Sequence, residues 1–395
     1  MSEKRGIVII GGGAGGIITA NILAEKGKDV TLISDSNIHP FQPGYLFIAF
    51  KGHEPSKYIR TVEELLDPRV KFIQDKVTEV DLKERSIKTE KGKSISYEKV
   101  VVATGASLNY DLIPGHRENY EKMGDYYSTP EAAVKVWNNI KDMKKGKLVI
   151  GVPDLVIKCP PAPHKGTFLS AGYFKEKRAD VRVELLYPAP HVYGEKEVSK
   201  AIEEKMKEFG NIDYRTSFLI DSIDNEKKVV RSATGEEVSF DALIMIPMHK
   251  GTNIKFNPPE VLDDDRYVKV HKNYLNIEGY DDAFAVGDCT NLPTSKSGVT
   301  AHLGAFAIAK RILGEESYFT GRTNCPCITD DEGLFVISDY DHHAVPVRFT
   351  RFKRLLEDVF IVMYWASLRY PLKYESIFDT YFKATEPSVL GERGW

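Results

Sequence analysis

The stretch from Ile7 to Asp35 constrains this chain more than any other. Ile7 to Ile10 is a continuous β-branched run, as expected of a parallel strand buried on both faces. It leads directly into Gly11-Gly12-Gly13-Ala14-Gly15-Gly16, and the residues from Ile17 to Ala24 then read as a helix stopped at Gly27. Asp29 to Ile33 forms a second strand, which ends at Ser34-Asp35. A GxGxxG placed between strand and helix makes a pyrophosphate cradle. Gly11 allows the tight turn, Gly13 lets a phosphate approach the backbone, and Gly16 lets the helix pack on the strand. The helix N-terminus then faces the phosphate charge. The acid that usually ends the second strand and binds a ribose hydroxyl is displaced here, with Ser34 in its place and Asp35 next.

A chain of 395 residues has room for two or three domains at about 150 residues each. Its 54 Lys and Arg nearly cancel 57 Asp and Glu, leaving a formal charge of -3 and no general attraction to nucleic acid. With 42% hydrophobic and 28% charged residues it fits neither a disordered chain nor a polytopic membrane protein. The apolar run at Ile7 is too short for a signal peptide, and Val359 to Leu368 falls far below the ~20 residues of a spanning helix. The expectation is a protein on the cytoplasmic side that, if it meets a membrane, lies on its surface. Four cysteines without a CxxC pair make neither a disulfide framework nor a familiar zinc site. Asp339-Tyr340-Asp341-His342-His343 carries metal-friendly side chains without periodic placement, so it reads as a polar loop and no metal is expected.

Two more apolar strands end in short signals, Lys99 to Val102 in Ala103-Thr104-Gly105 and Asp282 to Val286 in Gly287-Asp288. In this order, the GxGxxG, ATG and GD segments resemble the flavoprotein disulfide reductase superfamily. The resemblance implies FAD, with Thr104 and Gly105 beside it and Asp288 reaching the ribityl chain and phosphates. Read alone, Asp288 could merely cap the next turn, the weaker of the two readings. The fold class implied is α/β, two tandem Rossmann-like dinucleotide-binding domains with a C-terminal amphipathic helical region. We divide the chain into a first part of the FAD-binding domain at 1–107, a second Rossmann-like domain at 108–280, the rest of the FAD-binding domain at 281–320, and a C-terminal redox-cysteine and membrane-association region at 321–395. The second domain opens on the strand Lys147 to Gly151, followed by Val152-Pro153-Asp154-Leu155-Val156. One glycine and a proline cannot cradle a pyrophosphate in the same way, so the NADH site of the relatives is expected to be lost.

Lys158-Cys159-Pro160-Pro161-Ala162-Pro163 sets a cysteine before a rigid proline run, and Asn324-Cys325-Pro326-Cys327-Ile328-Thr329-Asp330 offers a second thiol site. Together with Pro293-Thr294-Ser295-Lys296-Ser297-Gly298-Val299, these resemble the sulfide:quinone oxidoreductases and their flavocytochrome c relatives. The resemblance implies two redox sulfurs at one face of the flavin. Cys327 is taken as the partner of Cys159 because Ile328-Thr329-Asp330 looks more like the family's segment, with Cys325 as the fallback. On the plainer reading each is a small buried hydrophobe, the role expected of Cys289. Also by resemblance, hydrosulfide attacks the bridge between the two cysteines, two electrons pass to FAD, and sulfur accumulates as polysulfide. Lys158, His164 and Lys165 lie close enough in sequence to lower a thiol pKa. Family members with a flavin-tethering cysteine carry it where this chain has Ser128, so FAD is expected to be non-covalent or linked elsewhere.

The acceptor implied by the resemblance is a membrane quinone, with Lys296 near the flavin's pyrimidine edge, where a cation would stabilise negative charge. Lys296 could otherwise be an exposed turn lysine, and His302 either a proton relay or a packed helical histidine. Phe352, Leu355, Leu356, Val359, Phe360 and Met363 recur at helical spacing behind Arg351, Lys353 and Arg354, and Tyr374, Ile377, Phe378, Tyr381 and Phe382 follow Pro371. The pattern alone slightly favours core or subunit packing, which leaves a homo-oligomer open, whereas the resemblance favours monotopic attachment to the membrane surface. Two rivals stand beside this reading: a type II NADH:quinone oxidoreductase of the same architecture, and a flavin-binding subunit or sensor that no longer turns over.

Overall fold

The computed structural model describes residues 3–4, 6–344 and 348–385, with the side chains of Glu3, Lys4, Asp379, Phe382 and residues 383–385 outside the described set. The chain begins with β1 (Ile7–Ile10), α1 (Ala14–Glu25), β2 (Val30–Ser34), α2 (Tyr45–Lys51), β3 (Lys71–Gln74) and β4 (Lys99–Val102). Its middle holds α3 (Pro130–Ile140), β5 (Lys145–Gly151), α4 (Ala162–Glu176), β6 (Asp180–Leu186), β7 (Ile212–Arg215) and β8 (Ala242–Met245). Then come β9 (Ala283–Ala285), α5 (Gly298–Ile312), β10 (Thr323–Ile328), β11 (Gly333–Ser338), α6 (Arg351–Arg369) and α7 (Pro371–Thr385).

Two parallel sheets organise these elements. The first has the order β9-β4-β1-β2-β3, with Ile7 registered against both Val30 and Lys99. Every residue of β1 and β2 is buried, as the unbroken apolar run of a doubly covered strand requires. The chain leaves this sheet after β4 and returns to it only at β9, so the sheet is built from two distant stretches of sequence. Between them lies the second parallel sheet, β7-β6-β5-β8. The architecture is thus α/β, with two dinucleotide-binding folds in tandem.

The strand-to-helix turns of the two sheets differ. After β1, helix α1 starts at Ala14, directly behind the glycines. After β5, the chain runs without regular secondary structure from Val152 and turns at Cys159 to Pro161 before α4 starts at Ala162. Proline fixes φ and lacks an amide donor, which suits it to the first turn of a helix, and Pro163 occupies that turn of α4.

The last part of the chain packs over α1 and against α4 and α5. β10 and β11 pair antiparallel, with Cys325 opposite Val336 and Cys327 opposite Leu334. Helix α6 is capped by Thr350, whose Oγ1 accepts from the Lys353 amide at 3.2 Å. At 100° per residue its apolar side chains fall on two faces. Phe352, Leu355, Val359 and Val362 point outward and are 40–78% exposed, while Glu357, Tyr364 and Leu368 are buried. On α7, Phe378 and Tyr381 are buried and Ile377 is exposed. Two buried polar side chains from the first part of the chain hold α6 down. Asn21 Nδ2 donates to the Leu368 carbonyl at 2.7 Å, and His39 Nε2 hydrogen-bonds the Tyr364 hydroxyl at 2.8 Å. Among the described residues no helix is long and apolar enough to cross a membrane.

Candidate active site

A cavity of about 820 Å³ runs along the C-terminal edge of the first sheet. Gly11, Gly13, Ser34, Asp35, Thr104, Gly105, Gly287, Asp288 and Lys296 all border it. Gly16 does not: a Cβ there would stand 2.0 Å from the Gly11 carbonyl oxygen, so this glycine serves the packing of α1 on β1 and touches no ligand space. Gly11 sits at φ +113°, a conformation closed to ordinary side chains. Gly13 is different again. A Cβ there would meet only the Ala103 carbonyl, 3.7 Å away, so the space beside it belongs to the cavity.

The residues present fit a bound FAD. The cap of α1 is Gly13, which offers no side-chain acceptor, leaving the first amides of the helix to a diphosphate. Asp288 Oδ1 is buried without a partner among the described residues, as an acceptor for ribityl or ribose hydroxyls would be. Burial pushes the Asp288 carboxyl up, and the nearby Lys158 and Lys296 charges oppose that rise. Lys296 is a buried residue of this wall rather than an exposed turn lysine. Its Nζ donates to the Thr290 carbonyl at 3.0 Å and lies 3.6 Å over the ring of Tyr267.

At the far end of the same cavity stand two sulfurs. Cys159 is held by its backbone: its amide donates to the Lys296 carbonyl at 2.6 Å, and its own carbonyl accepts from the Ala162 amide at 2.7 Å. It adopts φ +50°, a strained left-handed conformation for a residue with a Cβ, of the kind that persists where the surroundings over-determine it. Across from it is Cys325, not Cys327. Cys159 and Cys325 hydrogen-bond each other, and both border the cavity, whereas Cys327 is fully buried in the core and borders none of it. The structure thus sets Cys325, the fallback, rather than Cys327 at the cavity beside Cys159. Residues two apart in β10 point to the same side but stand ~6.6 Å apart along the strand, which carries Cys327 past the cavity.

The two thiols differ electrostatically. The Cys325 thiol is pulled down, first by the hydrogen bond from Cys159 and then, against burial, by the Thr323 and Ser295 hydroxyls and the charge of Lys165. Thr323 Oγ1 lies 3.2 Å and Ser295 Oγ 3.5 Å from Cys325 Sγ. The same bond and burial push Cys159 well up. Burial alone pushes Cys327 up to about 12 despite Lys165. The segment 293–299 therefore reaches both cysteines, the Cys159 backbone amide through the Lys296 carbonyl and the Cys325 sulfur through the Ser295 hydroxyl.

Of the three basic residues near Cys159 in sequence, only Lys165 serves the sulfur pair. It is 2% exposed and borders the cavity; burial works against its ammonium, but the charges of Cys159, Glu357, Cys325 and Cys327 outweigh this and hold its pKa up. Lys158 Nζ turns instead to the Tyr127 carbonyl at 3.0 Å and Gln42 Oε1 at 3.1 Å. His164 points away to the Val192 carbonyl, and burial lowers its pKa to about 4. The acid beside Lys165 is Glu357 of α6, 3% exposed, which no local motif announced. The signal that could have found it is a lone carboxylate in register with the apolar residues Phe360 and Tyr364 on one helix face.

Ser128 does not border the cavity: its Oγ donates to Asp125 Oδ1 at 2.7 Å. Cys289 is fully buried and leans on the Val286 and Val102 carbonyls at 3.3 and 3.5 Å. His302 is packed against Phe378 at 4.4 Å, off the cavity, and burial lowers its pKa to about 3. His342 Nδ1 bonds Asp339 within a local turn, and among the described residues no cluster of three or more His, Cys, Asp or Glu is arranged for a metal.

The chain matches the pyridine nucleotide-disulphide oxidoreductase family over residues 5–157 and the central part of the flavoprotein chain of sulfide dehydrogenase (flavocytochrome c) over residues 133–247. The mitochondrial sulfide:quinone oxidoreductase of Mus musculus is 28% identical over 89% of this chain and 82% of its own. The sulfide-quinone reductase of Aquifex aeolicus is 24% identical over 83% of this chain and 82% of its own. The crystal structure of the sulfide:quinone oxidoreductase from Aquifex aeolicus superposes with a TM-score of 0.80 at 21% identity, covering 92% of this chain and 91% of that one. With the fold, the cradle and a cysteine pair at the end of one cavity, the chain is similar over most of its length to sulfide:quinone oxidoreductases, and its first 157 residues match the pyridine nucleotide-disulphide oxidoreductase family.

Proposed function

We propose that the protein oxidises sulfide to polysulfide or sulfur and passes the electrons through FAD to a membrane quinone. One observation carries the reading: Cys159 and Cys325 meet at the end of the cavity that the glycine cradle opens. FAD, when bound, would take two electrons from the sulfur pair and yield them to the quinone. Gly11, Gly13, Thr104, Gly105, Gly287 and Asp288 would hold it. Non-covalent binding is supported by the placement of Ser128 and Cys289 off the cavity, which leaves the redox pair as the cysteines that border it among the described residues.

Hydrosulfide attacks the bridge between Cys159 and Cys325. The departing sulfur is best placed at Cys325, whose thiolate is met by the Thr323 and Ser295 hydroxyls and by Lys165, because a thiol of lower pKa leaves faster. Lys296 presents a buried cation to the cavity and supports negative charge on its contents. Phe360, Tyr364 and Tyr381 give the cavity an aromatic wall suited to a quinone ring. The outward face of α6, Phe352, Leu355, Val359 and Val362, suits attachment to the surface of a membrane, the cytoplasmic one in our reading. The division of the chain at 107, 280 and 320 belongs to the same reading, supported by the strands that join each sheet.

The test is anaerobic flavin bleaching by purified protein. Sulfide is expected to bleach the flavin and added quinone to restore it, while NADH leaves it oxidised. Bleaching by NADH and not by sulfide would replace this reading with a type II NADH dehydrogenase.

A further inference from the structure

The inference concerns Glu357 and rests on the sulfide-oxidising reading. Lys165 of α4 and Glu357 of α6 are 2% and 3% exposed, and both border the cavity at its sulfur end. Glu357 and the two cysteines bear on the one Lys165 ammonium. Among the described residues, the other charged neighbours of Glu357 are on its own helix, where Arg354 and Asp358 pair with each other at 2.5 Å, and Tyr381 of α7 faces it. While the sulfurs are bridged, Glu357 is the counter-charge of Lys165. Once the bridge opens, a thiolate and a carboxylate compete for one cation away from water, and two such anions do not both stay ionised. Burial already pushes the Glu357 carboxyl up against the pull of Lys165 and Arg354.

We propose that Glu357 is the proton acceptor of the sulfur step, taking the proton that hydrosulfide brings in as Lys165 turns from the carboxylate to the new thiolate. Hydrosulfide forms an S–S bond to one cysteine, and the bond between the two cysteines breaks with its electron pair leaving on the other. The product is a persulfide S–H and a thiolate. The persulfide proton then passes to the Glu357 carboxylate, giving a carboxylic acid and a persulfide anion, with no change in total charge. Helix α6 thereby belongs to the sulfur chemistry through its inner face, independently of what its outer face binds.

The test compares FAD-loaded wild type with Glu357→Gln and Glu357→Asp. Sulfide bleaching of the Gln variant is expected to slow by about tenfold to a hundredfold at neutral pH, with the Asp variant recovering most of the rate. In the reduced protein the pH midpoint of thiol alkylation by iodoacetamide should move down by about one unit in Glu357→Gln, since Lys165 no longer shares its charge. A third readout needs no variant to fold. Wild type carrying carbon-13 glutamate should gain an infrared band of protonated side-chain carboxyl when the bridge is reduced by dithiothreitol. Unchanged bleaching in a folded Gln variant, or no such band in wild type, overturns the proposal. Wild-type flavin that sulfide cannot bleach overturns the sulfide reading and this proposal with it, whereas a bleaching wild type beside an equally fast Gln variant overturns the proposal alone.

Discussion

The turn from β1 to α1 and the turn from β5 to α4 begin alike, at the C-terminal end of a parallel strand, and end as different devices. In the first, glycines let the backbone fold tightly enough for the helix to start at Ala14, so its free amides face the cavity. In the second, Val152 and Pro153 replace the glycines, and the helix start is delayed to Ala162. The slack carries Lys158 and Cys159 out of their own sheet and against the segment 293–299 of the other half, where the Lys296 carbonyl takes the Cys159 amide. A crossover without the glycine cradle can thus deliver a sulfur to the neighbouring domain's cavity. The left-handed φ of Cys159 is the local cost of that delivery.

The most severe way to break the second turn is to remove its sulfur. Cys159→Ser should lower sulfide-driven bleaching by roughly a thousandfold or more while the protein stays yellow, because the first turn still holds the flavin. Retained bleaching in that variant would show that the second turn delivers nothing. The partner assignment gives the next largest effect. Cys325→Ser should lose about as much as Cys159→Ser. Cys327→Ser should keep its rate within a few-fold and show only the thermal destabilisation, about 1 kcal/mol, of a hydroxyl placed in the core. A Cys327→Ser enzyme that no longer bleaches would return the pairing to Cys327.

The first turn was fully legible in the sequence, and the second only in part, for a physical reason. A glycine cradle, its flanking strands and the Ala103-Thr104-Gly105 and Gly287-Asp288 strand ends are local patterns, and local patterns fix local structure. Which late cysteine meets Cys159 depends on where along β10 the cavity ends, and that is set by the packing of α4 and α5 on the hairpin rather than by anything between Asn324 and Asp330. Glu357 was unreadable for the same reason: an acid within an amphipathic helix looks like a surface charge until the helix is known to close over a cavity. The stripe on α6 was read as one face. It is two, because Phe352, Leu355 and Val359 lie outward while Phe360 and Met363 turn toward the interior.

The first turn can be sharpened by separating its two kinds of glycine. Gly16→Ala places a Cβ 2.0 Å from the Gly11 carbonyl, so α1 must lift off β1. A loss of about 1–3 kcal/mol in stability is expected, measured by thermal unfolding, and flavin goes with it. Gly13→Leu has room for its Cβ in the apoprotein, where only Ala103 O lies near, at 3.7 Å. It should leave the apoprotein's unfolding within about 0.5 kcal/mol of wild type and yet emerge colourless after desalting. If both variants bind flavin normally, the cavity beside Gly13 does not receive the diphosphate.

The smallest effect on function is expected from what fastens α6 over the first turn. His39 bridges them: one ring nitrogen bonds the Gly12 carbonyl in the first turn at 2.8 Å, and the other the Tyr364 hydroxyl of α6. Burial lowers the His39 pKa to about 4, against the opposing bond to Gly12, so the ring is neutral in the folded protein at neutral pH. The unfolded chain, with an ordinary histidine pKa near 6.5, takes up a proton first as pH falls, and therefore gains relative stability between about 6.5 and 4. The contribution of neutral His39 is complete above the unfolded value and fades through that window, amounting to about 3 kcal/mol by its lower end. His116, His164, His249 and His302 are lowered by burial in the same sense and add to the global trend, so the helix contact needs its own readout. Trp365 on α6 provides one, since it packs 6.0 Å from His39. Its fluorescence should change with acidification before the global unfolding transition in wild type. In Tyr364→Phe, where the hydroxyl partner is gone, that change should move to higher pH. A tryptophan signal that tracks global unfolding in both proteins would show that His39 does not fasten α6 to the glycine turn.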